Sequence, residues 1–181
     1  MTVPTPFAPN TPDDILEFYD HWASLPKRGL MPHLSDYLDR APARLQPNVV
    51  IIDVRSPDEM TIRLFGTNLV NMSGRDLTTK SLQSVYAPQI WSDSCKHIWK
   101  AVTQPAGYYC IRGVRSSGDR MLHSPSVCLP VASGTGGKYC FMSYSIFPAA
   151  SILLLDERPD IVLSLELRHW IDIGAGVPKE I

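Results

Sequence analysis

Four cysteines, five histidines and one glycine-rich turn are the residues of this chain with chemistry to offer. Cys95, Cys110, Cys128 and Cys140 form no C-x-x-C pair, which argues against zinc. Without a secretory signal their spacing also argues against a disulfide framework. Small buried thiols are ordinary core residues, and Cys95 lies one helical turn from Trp99. His97 falls about 20° from Ile90 on a wheel of 100° per residue, at the border of an apolar helical face. There an imidazole hydrogen-bonds at the helix edge. Gly134-Thr135-Gly136-Gly137-Lys138 copies part of a phosphate loop, but a strand follows it, so the helix N-terminus that would hold a phosphate is missing. It reads as a hairpin turn. Asn71-Met72-Ser73 fits a glycosylation pattern that has no meaning in a cytosolic chain. Asp53, Asp58, Asp76 and Asp93 are scattered singly and suit turns and caps. With no nucleophile elbow, His-Glu-x-x-His or nucleotide fingerprint, the chain offers no catalytic motif and is expected not to be an enzyme.

The elements that position these residues follow from periodicity. Residues 1–10 are proline-rich and read as a flexible tail. Thr11 is a good N-cap and Pro12 a good first helical residue; Ile15, Phe18, Tyr19, Trp22 and Leu25 then recur at helical spacing up to Pro26. Residues 32–38 allow a second short helix. VVIIDV at 49–54 suits a strand buried on both faces, and 60–65 pairs back on it as a hairpin across Ser56-Pro57-Asp58. Residues 67–82 are too broken for one long helix. In 86–102, Ala87, Ile90, Trp91, Ser94, Ile98, Ala101 and Val102 share one helical face. Three strands follow near 107–116, 121–132 and 138–147, joined by glycine-bearing hairpin turns. The last is apolar on both sides, which places it in the middle of the sheet beside the first strand.

The expected fold is therefore α+β: a five-stranded antiparallel sheet of order 2-1-5-4-3, with helical pieces on one face and the N-terminal helix free to cover the other. From Ile161 the odd positions are apolar as far as Ile173, broken only by His169, and Gly174-Ala175-Gly176 ends the run. That alternation predicts an extra strand, added to a sheet edge or exchanged with a partner chain.

At 181 residues, with 44% hydrophobic residues, the chain can bury a real core. A net charge of −1 and a pI near 6.5 leave no basic field for nucleic acid or anionic lipid. The longest apolar run is far too short to span a bilayer, and residues 1–10 lack the features of a signal peptide. The cytoplasm is the expected compartment.

The element order, together with "HWASLPKRGLMP" and "FGTNLVNMSGRDLTTKSL", resembles the PAS domain superfamily and, more narrowly, a bacterial family of single-domain PAS-like proteins that is largely uncharacterised. The resemblance covers roughly residues 15 to 147. It implies a tail at 1–10, an N-terminal helical segment at 11–47, a PAS-like core at 48–148 and a C-terminal extension at 149–181. Gly66 and Asn68 would lead out of the second strand into a compact helical arm, with Gly74, Arg75 and Asp76 forming the glycine-led loop after it. The arm would wall a small pocket against the sheet. Light-sensing relatives carry a flavin-reactive cysteine in that loop, where this chain has Leu77, so flavin is not expected. Haem-binding relatives carry a histidine on the long helix, which makes His97 the one residue in favour of haem; no cofactor is expected overall.

The function implied is a sensory module that binds a small, mostly apolar ligand between long helix and sheet. Met72, Ile90, Ser94, His97, Ile98, Phe141 and Ser143 are the candidate lining residues. The signal would pass by contact to an unknown signalling protein, through a homodimer. The alternatives are a ligand-free interaction module dimerising through Phe18, Trp22 and Leu25 of the N-terminal helix, and an enzyme using the same cavity.

Overall fold

The computed structural model describes residues 6–115, 121–133, 139–147 and 162–179. Helix α1 (Asp13–Ser24) leads into a small hairpin of β1 (Lys27–Arg28) and β2 (Met31–Pro32), then α2 (Leu34–Arg40) and a 3-10 turn, Gln46–Asn48. Strands β3 (Val49–Ser56) and β4 (Glu59–Phe65) follow, then α3 (Thr67–Ser73), a second 3-10 turn, Leu82–Val85, and the long α4 (Pro88–Thr103). Strands β5 (Ala106–Arg115), β6 (Met121–Val131), β7 (Tyr139–Ser145) and β8 (Val162–Asp172) complete the chain. The expected hairpin turns at 116–119 and 133–137 fall mostly or wholly outside the described residues, as does Ile161.

Strands β3 to β8 make one antiparallel sheet of order β4-β3-β7-β6-β5-β8. Its first five members stand in the expected order, with β7 in the interior. β8 adds the extra strand, on the β5 edge of its own chain. Its alternation is not the single apolar face read from the odd positions. Bulges against β5 leave Arg168 and Leu163 as the extra residues and flip the pattern twice. Val162, Leu165, Leu167 and Trp170 therefore pack on the α4 side, while Ile171 and Ile173 pack on the α1 side.

Each face of the sheet has its own cover. On one, Trp91, Cys95, Ile98, Ala101 and Val102 of α4 pack with Ile52, Val54, Tyr108, Cys128 and Phe141. On the other, Ile15, Phe18 and Trp22 of α1, with Leu25 just beyond it, pack with Val49, Ile51, Val127, Leu129, Met142 and Tyr144. Phe18 stacks on Tyr144 at a centroid distance of 5.0 Å. The Trp22 indole donates to the Pro130 carbonyl at 3.1 Å, and Lys27 Nζ sits 3.4 Å from the centre of its ring.

The N-terminal boundary differs from its expectation. Pro12, with its fixed φ, takes the cap position of α1, while Thr11 is buried and its N–H donates to Ala8. Phe7, inside the stretch read as a tail, is buried edge-on against Tyr19, Tyr109 and His169.

Two glycines set the helical arm. A Cβ on Gly66 would land on the Pro47 carbonyl, so only glycine lets β4 turn into α3 against the first 3-10 turn. Gly74 ends α3 at φ +65°, the left-handed conformation that glycine adopts without a Cβ clash. Asp76 then accepts the Thr78 N–H at 2.9 Å, while Asn68 is exposed on the outside of the arm.

Trp22 is only 2% exposed. Trp22→Ala removes the largest side chain between α1 and the sheet and should cost about 3 kcal/mol or more. Denaturant unfolding measures this as a lower midpoint at an unchanged slope; an unchanged midpoint would show that α1 does not depend on the ring.

Candidate functional site

Strand β5 aims one charged residue into the core. Tyr108, Cys110 and Val114 face the α4 side of the sheet, and the period of two puts Arg112 there with them. Arg112 is 7% exposed. Its Nη1 donates to the Ser143 hydroxyl at 2.8 Å and the Ser145 hydroxyl at 2.9 Å, and Nη2 donates to Cys128 Sγ at 3.0 Å. Nε has no partner. Behind these groups Ser126 bonds Ser145 at 2.9 Å, and Ser124 donates to the Ile146 carbonyl at 2.8 Å. β7 and β6 supply the serines and Cys128 because Ser145 lies opposite Ser126 and Ser143 opposite Cys128 in the ladder.

Arg112, Ser143 and Ser145 form the polar end of a cavity of about 80 Å³. Its walls are apolar: Val50, Ile52, Ile62 and Phe65 from β3 and β4, Leu69 from α3, Leu82 and Val85 from the second 3-10 turn, and Val114, Phe147 and Val162. Tyr86 completes the lining. A largely apolar cavity with a few convergent polar groups is the usual form of a small-molecule site. The helical arm walls it as expected, whereas α4 contributes no lining residue.

The sequence-derived candidates divide between different places. Ser143 lines this cavity. Ile98 and Phe141 are core residues, Phe141 stacked on Tyr108 at 5.6 Å, and Met72 packs at the edge of the same core. Ile90, Ser94 and His97 face a separate cleft with Leu165 of β8, where the Ser94 hydroxyl donates back to the Ile90 carbonyl at 2.8 Å. His97 also borders a wider surface groove of about 430 Å³, with Lys96, Lys100, Trp170 and Lys179, and its ring meets Trp170 edge-on. Burial foremost lowers its pKa. This groove is larger, but its charges are surface lysines and Asp93, which pairs with Lys96; the enclosed charge is at Arg112. Phe18, Trp22 and Leu25 are buried within the protomer, and Leu77 is a core residue. Arg112 and Ser145 were absent from the sequence-derived set, although the alternation Tyr108, Cys110, Arg112, Val114 carries the signal.

The thiols split in the same way. Burial pushes Cys140 up to about 12. Burial also pushes Cys128 up, but a hydrogen bond from Cys110, the Arg112 charge and a hydrogen bond with Ser143 outweigh it and bring the thiol down to about 6. Unfolded, the same thiol titrates near 9.0. Between these values the unfolded chain holds a proton that the folded one has released, so stability rises from about pH 6 toward 9 and is lost as pH falls through 6. Lys27, lowered to about 8 by burial, adds a slope of the same sign only above its own value. The difference between wild type and Cys128→Ser therefore isolates the thiol. Wild type should gain more stability between pH 6 and 8 than Cys128→Ser, and should show an ultraviolet thiolate band titrating near 6 that Cys128→Ser lacks.

Most of this chain matches a known family. The family described as PAS domain matches residues 11–142, from the entry to α1 into β7, and leaves β8 outside. No curated protein matches. Among solved structures, a fungal LOV domain photoreceptor is 14% identical, over 75% of this chain and 92% of its own, with a TM-score of 0.46. A cysteine-to-valine variant of the fungal photoreceptor VVD is 14% identical, over 80% and 100%, with a TM-score of 0.45. The light state of the blue-light photoreceptor Aureochrome1 LOV is 15% identical, over 65% and 90%, with a TM-score of 0.42. The family match spans well over half of the sequence, and on it the chain belongs to the PAS domain family of sensory and signalling modules.

Proposed function

We propose that this PAS domain is a sensor that holds a small, largely apolar ligand in the cavity at Arg112 and reports its occupancy by protein–protein contact. The observation that supports this reading is the cavity itself: apolar walls closed at one end by a buried guanidinium and two serine hydroxyls. The cavity also touches elements able to carry a signal. Val162 of β8 lines it, and the Val162 carbonyl accepts the Ala87 N–H at 2.8 Å, one residue before α4 begins. A ligand that presses on Val162 and Tyr86 thus bears on the start of the long helix and on the edge strand together. A signalling partner, or a second copy in a homodimer, would read these elements from outside.

No enzymatic step belongs to this reading: among the described residues that line the cavity there is no histidine or carboxylate to act as a base. Flavin and haem are not part of it either. The cavity of about 80 Å³ falls short of the roughly 300 Å³ at which sites for larger ligands begin. Leu77, in the loop after Gly74, is packed in the core, and His97 lies outside the cavity. Among the described residues no helix is long and apolar enough to cross a membrane.

Native mass spectrometry of the purified protein, paired with Val114→Phe, tests the reading. Val114 is buried on the cavity wall, so the larger ring fills space already present and should cost less than about 2 kcal/mol. Wild type is expected to carry a small-molecule mass excess that Val114→Phe lacks. A dimer with no excess, and no small molecule stabilising wild type more than Val114→Phe, would replace the sensor reading with that of an interaction module.

A further inference from the structure

The charge on Arg112 is not matched by any carboxylate among the described residues. A guanidinium stays protonated in proteins, and a charge removed from water is costly unless an opposite charge meets it. The ion pairs of the described residues lie elsewhere: Arg44 with Asp14 and Glu17, Arg55 with Glu59, Arg63 with Asp53, Lys96 with Asp93, and Arg168 with Glu166. Arg112 has instead two neutral hydroxyls, a bare Nε and the Cys128 sulfur, whose thiolate is the one anion it meets among the described residues.

We propose that the ligand is a short-chain monocarboxylate whose carboxylate pairs with Arg112 at the serine end while its aliphatic tail lies against Ile52, Ile62, Leu82, Val85 and Val114. This inference rests on the ligand-binding reading above and narrows it to one chemical class. Three observations select the class. The guanidinium supplies a single positive charge in a form that pairs with a carboxylate. Apart from the Tyr86 phenol the remaining walls are hydrocarbon, and among the described residues no second cation lines the cavity, so a dicarboxylate is disfavoured. The volume of about 80 Å³, at roughly 10–15 Å³ for each water-sized occupant, admits about six heavy atoms, the size of butanoate. Cys128 is the internal competitor, since its thiolate can neutralise the same guanidinium at 3.0 Å.

Calorimetric titration of the full chain with butanoate, 1-butanol and butanedioate tests the class. Butanoate is expected to bind saturably and at least about tenfold tighter than 1-butanol, the worth of one charged hydrogen bond, with butanedioate weaker than butanoate. Arg112→Gln should abolish the preference for butanoate over the alcohol. Cys128→Ser keeps a polar side chain but removes the competing anion, so it should bind butanoate several-fold tighter than wild type; this arm stands even if Arg112→Gln does not fold. Equal affinity for 1-butanol and butanoate would overturn the anion inference and leave a ligand-binding cavity standing. Absence of binding by all three probes, in wild type and in Cys128→Ser, would overturn the inference, and if native mass spectrometry also shows no bound mass the sensor reading falls with it.

Discussion

A strand buried on both faces governs this structure. From Cys140 to Ser145 every residue of β7 is out of water, Cys140, Met142 and Tyr144 toward α1 and Phe141, Ser143 and Ser145 toward the opposite layer. An antiparallel sheet ordinarily needs only one apolar cover; a two-sided centre needs two. α4 covers one side, and α1, which the family match also includes, covers the other. This explains why α1 carries so large an apolar stripe, why the Trp22 indole reaches the Pro130 carbonyl, and why Phe7 wedges between α1, β5 and β8. Because α1 spends this surface within its own protomer, Phe18 and Trp22 are not available as the dimer face considered from sequence. Any homodimer would have to form through other surfaces.

Against this apolar centre, the polar seam across β5, β6 and β7 stands out. Arg112, Ser124, Ser126, Cys128, Ser143 and Ser145 are all buried and joined by hydrogen bonds, so each strand carries polar groups at one level of the sheet. A connected network specifies strand register, because slipping any of the three strands by one residue would break its hydrogen bonds. Register alone, however, does not call for a cation. A serine and threonine ladder would do the same without the desolvation of a guanidinium. The choice of arginine departs from what stability favours, and such departures concentrate at functional sites.

How much of this was legible varies with the range of the signal. The sheet order, the central strand, the α1 stripe and the left-handed Gly74 all follow from periodicity and local steric rules, and these act over a few residues. The extra strand was legible for the same reason. Its faces were not, because the bulges at Leu163 and Arg168 are set by its pairing with β5, which local alternation cannot report. Phe7 was missed because composition suggests a tail while a single aromatic docks it. The cavity lining was read from helix-face positions of α4, but Ile98 is packed in the core and Ile90, Ser94 and His97 face a cleft against β8, whereas the cavity at Arg112 lies under α3 and the second 3-10 turn. Arg112 went unnoticed because an arginine in a strand is ordinarily placed in solvent. Its own alternation with Tyr108, Cys110 and Val114 pointed inward.

The C-terminal strand ties these features together. β8 lies outside the family match, yet Val162 closes the cavity and its carbonyl holds the Ala87 N–H that precedes α4. Leu165 pairs with Arg112 in the ladder, Trp170 packs edge-on against Tyr108 and His97, and Ile171 is buried on the α1 side. The strand thus touches the cavity wall, the long helix and the layer beneath α1. Without it β5 would be an exposed edge, and the residue carrying the buried charge would sit on the edge strand itself. The segment beyond the shared fold is therefore part of the site, since it both encloses the guanidinium and connects it to the outer helix.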